Sequence, residues 1–127
     1  MTARATLVLA SLLLAVAVML GAFGAHALRT RVGSDLQAVW STAVQYHAWH
    51  ALGLLAIGML MLHRPGMGGV AIAAWLMLAG IVLFSGSLYA LVLTSIRALG
   101  AVTPIGGVCF ILAWLVLAWA CWRSLGR

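Results

Sequence analysis

The sequence predicts an all-α integral membrane protein, a bundle of four transmembrane helices. Two observations carry this. The chain of 127 residues is 66% hydrophobic and only 6% charged, with a mean hydropathy of +1.21, whereas a soluble domain carries about 25% charged residues. The apolar residues are also gathered into four long segments, about residues 5–28, 43–62, 70–94 and 104–122. At 1.5 Å per residue each can cross roughly 30 Å of hydrocarbon. Stretches such as Ala51–Leu62 and Ile72–Phe84 lack the alternation of a membrane β-strand, which leaves helices as the spanning element.

The first span follows Arg4 and ends near Ala25-His26-Ala27, imitating a secretory signal with its cleavage site. The apolar run is longer than a signal's hydrophobic region, so an uncleaved first span is expected. Residues 29–34 form the most polar linker. Ser34-Asp35-Leu36-Gln37 then fits a capping box, so helix two is expected to start near residue 35, before the hydrocarbon, and to put Trp40 at headgroup depth. Pro65-Gly66 ends it. Helix three is expected over residues 70–94. Thr103-Pro104, an N-cap followed by proline at the first helical position, starts helix four. The whole chain reads as one domain.

Small residues punctuate the spans at Gly21, Gly24, Gly53, Ala79, Gly80, Gly86, Gly106 and Gly107. In lipid these mark faces where helices approach closely. Cys109 and Cys121, twelve residues apart on one helix, lie about 120° apart around its axis and cannot pair with each other. Both are expected to be packing residues, and Met59, Met61, Met67 and Met77, which form no metal-carrying ladder, are expected to face lipid or to pack.

Seven arginines give a net charge of +6. They stand one or two at a time around the spans, a pattern of topology signals rather than a nucleic-acid patch, and no nucleic-acid partner is expected. Arg4, Arg64, Arg123 and Arg127 fall on the side of the termini; Arg29, Arg31 and Arg97 fall opposite. That excess predicts cytoplasmic termini for a multi-pass membrane protein.

The polar residues of the spans are unevenly placed. His26 ends helix one; Thr42, Gln45, Tyr46, His47 and His50 open helix two; Ser85, Ser87, Tyr89 and Thr94 close helix three; Thr103 opens helix four. All lie on the side opposite the termini, where only Thr6, Ser11 and His63 compare. Polar groups in hydrocarbon need partners, and ionisable ones are functional candidates.

Tyr46, His47 and His50 share one broad helix face, with His50 about 10 Å deep if the hydrocarbon begins near Ala43. Tyr46, His50, Ser85, Ser87 and Tyr89 are therefore a candidate ligand-binding belt. His26, His47 and His50 are a candidate metal set for Zn²⁺ or copper. The alternative is that these histidines form hydrogen bonds between helices or, as expected for His26, sit among headgroups. Ser85 and Ser87 stand about 200° apart around a helix, so they face different neighbours, and one is expected to bond back to its own preceding turn.

Asp35 is the only carboxylate, so no acid–base pair and no carboxylate proton path exist in the spans. No nucleophile elbow, P-loop or zinc-protease helix is present. A non-enzymatic accessory or assembly component is expected, without a cofactor, its partners being the lipid bilayer and another membrane protein or a second copy. The second expectation is binding or transport of a small ligand, lipid, proton or metal through the belt.

The blocks from Gly21 to Leu28, from Trp40 to Leu52, from Phe84 to Tyr89 and from Thr103 to Gly107 resemble, in order, those of the domain of unknown function 423 family. That family includes YgdD-like bacterial inner-membrane proteins and the eukaryotic transmembrane protein 256. The resemblance implies a small four-helix membrane protein and supplies neither activity nor site residues. His47 departs from the family pattern, where Gln is expected, and this weakens a two-histidine metal site.

Overall fold

A computed structural model describes residues 1–125; Arg127, counted above among the charges of the terminal side, lies outside the described residues. Every regular element among them is helical. Helix α1 (Ala3–Phe23) runs into a π-helical turn at Gly24–Leu28, and α2 (Ser34–His63) follows. Helices α3 (Val70–Gly80) and α4 (Gly86–Thr94) are joined by a second π-helical turn, Ile81–Ser85, into one rod. A 3-10 turn at Arg97–Ala101 leads to α5 (Thr103–Leu125).

Three stretches are long and apolar enough to cross a membrane: Ala3–Leu28, Val70–Thr94 and Arg97–Ser124. Helix α2 has the length, about 45 Å for its 30 residues, but Gln45, Tyr46, His47 and His50 dilute its apolar character as far as its middle.

The capping residues differ from those expected. Gly33, not Ser34, is the N-cap of α2, and it makes no side-chain cap bond. Gln37 does not reach back to the cap, because its Nε2 donates to the Gly24 carbonyl of the neighbouring helix, at 2.8 Å. Thr103 is already the first residue of α5, with its hydroxyl turned to Ser87. Thr2 caps α1 instead, accepting from the Ala5 amide at 3.2 Å. At the other end of α2, a turn with Pro65 second and Gly66 third (φ 82°) closes through Met67 N–H to Arg64 C=O. A positive φ at that third position is what glycine supplies without steric conflict.

Helix α1 packs on α2, α2 on the α3–α4 rod, and that rod on α5. The main core joins Ala10, Leu54, Ile57, Met77, Phe110 and Ala113 across all four rods. A smaller one centres on Leu28, Trp40 and Val92 near the α1–α2 link. Gly106 lies against the backbone of Leu83 and Phe84, inside the second π-helical turn, closely enough that a Cβ there has no room. Gly24 is held the same way against the Trp40 ring, whereas Gly86 has nothing within 4 Å and marks no contact face.

Trp40 is enclosed by the bundle. It is only 2% exposed, stacked obliquely between Phe23 and Tyr89, and its indole Nε1 donates to Leu20 C=O of α1 at 2.9 Å. An indole N–H in an apolar setting needs an acceptor, and α1 provides one. Both cysteines are free and half-buried. Met77 is fully buried, whereas Met59 is exposed.

Candidate functional site

His47, Ser85, Ser87, Tyr89 and Thr103 come together as cross-helix links, whereas Thr42 and Thr94 bond back to their own helices and His26 and Gln45 are exposed. Ser85 is fully buried and donates to the Ala43 carbonyl of α2 at 2.8 Å. Ser87 shares a hydrogen bond with Thr103 of α5 at 2.7 Å and also donates to Phe84 C=O of its own helix. The two serines thus serve different neighbours, as their angular offset requires. Tyr89 OH and His47 Nδ1 are 3.1 Å apart across α4 and α2.

With Gln37 and Trp40 bonded to α1, every pair of adjacent rods is tied at this end by hydrogen bonds. In hydrocarbon such bonds replace the water that polar groups lack. The terminal end differs. Thr6, Ser11 and His63 bond to carbonyls four residues earlier on their own helices, at 2.8–2.9 Å. One longer contact there, Thr6 Oγ1 to Met61 Sδ at 3.7 Å, crosses between helices.

Tyr46 and His50 belong to an aromatic stack. His50 lies flat on Phe110 (ring centroids 3.4 Å apart, planes 13° apart), and Tyr46 on Phe84 at 4.5 Å. His50 Nδ1 donates to the Tyr46 carbonyl at 2.7 Å, so its ring is clamped by its own helix and by α5.

The expected belt therefore splits. Tyr46 and His50 pack as rings, whereas Ser85, Ser87 and Tyr89 bond to protein partners. A cavity of about 610 Å³ opens elsewhere, between the start of α2 and the end of α4.

The candidate metal set is not assembled. Among the described residues no three His, Cys, Asp or Glu side chains form a group that could hold a metal ion. His26 is exposed in the middle of the first π-helical turn, and Nδ1 of each of His47 and His50 already has a protein partner. Two buried side-chain atoms at this end are left without a hydrogen-bond partner, Nε2 of His47 and Oε1 of Gln37.

Gln37, Trp40 and Thr103 are the participants that motif reading missed as linkers. Their signal was chemical, since each carries a donor that must be satisfied away from water.

The model of the family described as Protein of unknown function (DUF423) matches residues 20–107, a stretch holding every cross-helix hydrogen bond described above except the Thr6–Met61 contact. The chain belongs to this family. The DUF423 chain is 52% identical over 109 residues to UPF0382 membrane protein YwdK of Bacillus subtilis (strain 168), covering 86% of this chain and 89% of that one. It is 45% identical over 122 residues to a UPF0382 membrane protein of Staphylococcus epidermidis, covering 94% and 97%. UPF0382 membrane protein SSP2132 of Staphylococcus saprophyticus is 47% identical over 113 residues, covering 87% and 91%. No solved structure matches the chain. The chain is a membrane protein of an uncharacterised family, with several apolar helices.

Proposed function

We propose that this DUF423 chain is a four-span protein of the bacterial inner membrane, with cytoplasmic termini, acting without catalysis as an accessory or assembly component through its outer helix faces. Helix α2 is the fourth span. On the side turned to the bundle its polar first half is partnered, Gln37 and Trp40 with the end of the first rod and His47 with Tyr89, so these groups enter hydrocarbon covered.

The observation that carries the reading is the closure of the polar belt on itself: Ser85, Ser87, Tyr89, Trp40 and Gln37 all have protein partners. Much of what remains for outside contact is apolar surface. Trp114, Leu115, Trp119 and Trp122 of α5 are 44–83% exposed, fit for acyl chains or another membrane helix.

Cross-linking in native membranes followed by detergent purification tests this. A stable complex, of copies or with another membrane protein, is expected. A strictly monomeric species with no cross-linked partner overturns the assembly reading. Labelling of single cysteines at position 2 and in the 64–69 link, from the cytoplasmic side only, is the result expected for the topology.

One observation favours a second reading, a proton- or ligand-handling role, namely the unpartnered Nε2 of His47. Native mass spectrometry of wild type beside His47→Gln and His50→Ala decides it. A bound small molecule present in wild type and lost in either variant supports that role, and identical spectra dismiss it.

A further inference from the structure

We propose that the groove between the start of α2 and the end of α4 holds a zwitterionic phospholipid with a primary ammonium headgroup, its phosphate at Arg97 and its ammonium at Asp35. The inference rests on the four-span reading above, which places both helix ends at one membrane surface.

The groove has the composition of an amphiphile's partner. Its volume, about 610 Å³, falls within the roughly 300–1,000 Å³ of small-molecule sites. Its floor is apolar, built from Leu36 and Val39 of α2 and Leu91 of α4. All three are half-buried and border the small core around Trp40, so an acyl chain laid on them continues an existing apolar surface.

Its rim carries one charge of each sign. Asp35 is the only carboxylate of the chain and stands in the first turn of α2. Arg97 opens the 3-10 turn after α4. Both are exposed and both line this groove, with the Ser95 hydroxyl on the Arg97 side.

Charge complementarity selects the headgroup. A guanidinium binds phosphate with two parallel N–H donors, so Arg97 suits any phospholipid. Asp35 adds the discrimination. Its carboxylate repels a second negative charge, and it accepts hydrogen bonds that a primary ammonium donates and a quaternary one lacks.

Anionic lipids have other places to go, since Arg29 and Arg31 stand on the same side of the chain outside this groove. Helix α2 begins at Ser34 and α4 ends at Thr94, so both charges sit where the helices leave the hydrocarbon. That is the depth of headgroups rather than of acyl chains.

The test is native mass spectrometry of the full chain released from nanodiscs holding equal parts of phosphatidylethanolamine, phosphatidylcholine and phosphatidylglycerol. Phosphatidylethanolamine is expected to be retained about two- to fivefold over phosphatidylcholine by wild type, and over both others once Arg29 and Arg31 are removed, the range that one exposed ion pair supports. Asp35→Asn is expected to erase the preference over phosphatidylcholine, Arg97→Gln to reduce retention of all three, and the Arg29→Gln, Arg31→Gln double variant to leave the preference intact.

Retention of phosphatidylglycerol equal to phosphatidylethanolamine by the Arg29→Gln, Arg31→Gln double variant, or an unchanged preference in Asp35→Asn, overturns the inference. Cysteine labelling on the same samples separates this from failure of the topology. Four spans without lipid preference overturn the lipid site alone, whereas termini and the 64–69 link labelled from opposite sides overturn the four-span reading.

Discussion

Gly106→Ala is expected to destabilise the bundle far more than its size suggests. The added Cβ meets the backbone nitrogen of Phe84 and, at 2.8 Å, the Leu83 carbonyl carbon and the Phe84 Cα. Those atoms belong to a helical turn and cannot rotate aside as a side-chain tip does. Helix α5 must therefore move away from the α3–α4 rod, which also loosens the 2.7 Å bond between Ser87 and Thr103 one turn away.

Overpacking of this kind typically costs about 1–3 kcal/mol, and weakening the bond adds about 0.6 kcal/mol, the mean for a bond between membrane helices. Better helix propensity returns up to about 1 kcal/mol, leaving a net loss of roughly 1–3 kcal/mol. Gly107→Ala is the internal control. It has the same propensity gain, but its Cβ meets only the Phe84 ring, at 3.8 Å, an ordinary contact, so it should be neutral or slightly stabilising. Reversible unfolding in mixed micelles, followed by circular dichroism, compares the two. Equal stability of the two variants refutes the close approach of α5 to the π-helical turn.

Further outcomes follow from the cross-helix bonds. Ser85→Ala removes the donor to Ala43 C=O and should cost about 0.6–1.7 kcal/mol in the same unfolding assay. A double-mutant cycle of His47→Phe and Tyr89→Phe should return a favourable coupling of about 0.5–1.5 kcal/mol, and zero coupling would mean that the 3.1 Å contact is not a bond in the folded state. Trp40→Phe keeps most of the buried ring but leaves out the donor to Leu20 C=O. It should destabilise the bundle and shift the tryptophan emission spectrum, since Trp40 is the enclosed indole.

Much of the fold was legible because membrane helices announce themselves by composition and by their stops. Pro65-Gly66 fixed the end of α2, and the Thr103-Pro104 pair marked the start of α5 to within one residue. What escaped the sequence was decided between helices. Neither π-helical turn has a local signature. The second coincides with the close approach of Gly106, a contact between residues more than twenty apart. Ser34 to Gln37 spelled a capping box, but a carbonyl on the neighbouring helix lay within reach of Gln37 and took its amide.

The same logic governs the candidate site. Depth and helix face placed Tyr46, His47, His50, Ser85, Ser87 and Tyr89 at one end of the bundle, and the 200° offset of the serines assigned them to different neighbours. Which polar atoms would meet each other, and that Tyr46 and His50 would stack on Phe84 and Phe110, depended on how the rods turn about their axes. Helical periodicity leaves that rotation open.

The uneven distribution of cross-helix bonds sets where the molecule breathes. Adjacent rods are pinned to one another at one mouth of the bundle, whereas at the other the hydroxyls and the imidazole of His63 turn inward on their own helices. Slow fluctuations should therefore resemble the opening of a clasp hinged at the Trp40–Ser87 level. Backbone amides near Gly58 and Ala120 would exchange with solvent deuterium before those near Ala43 and Ser85, and a partner helix wedging into the bundle would enter from the side of the termini.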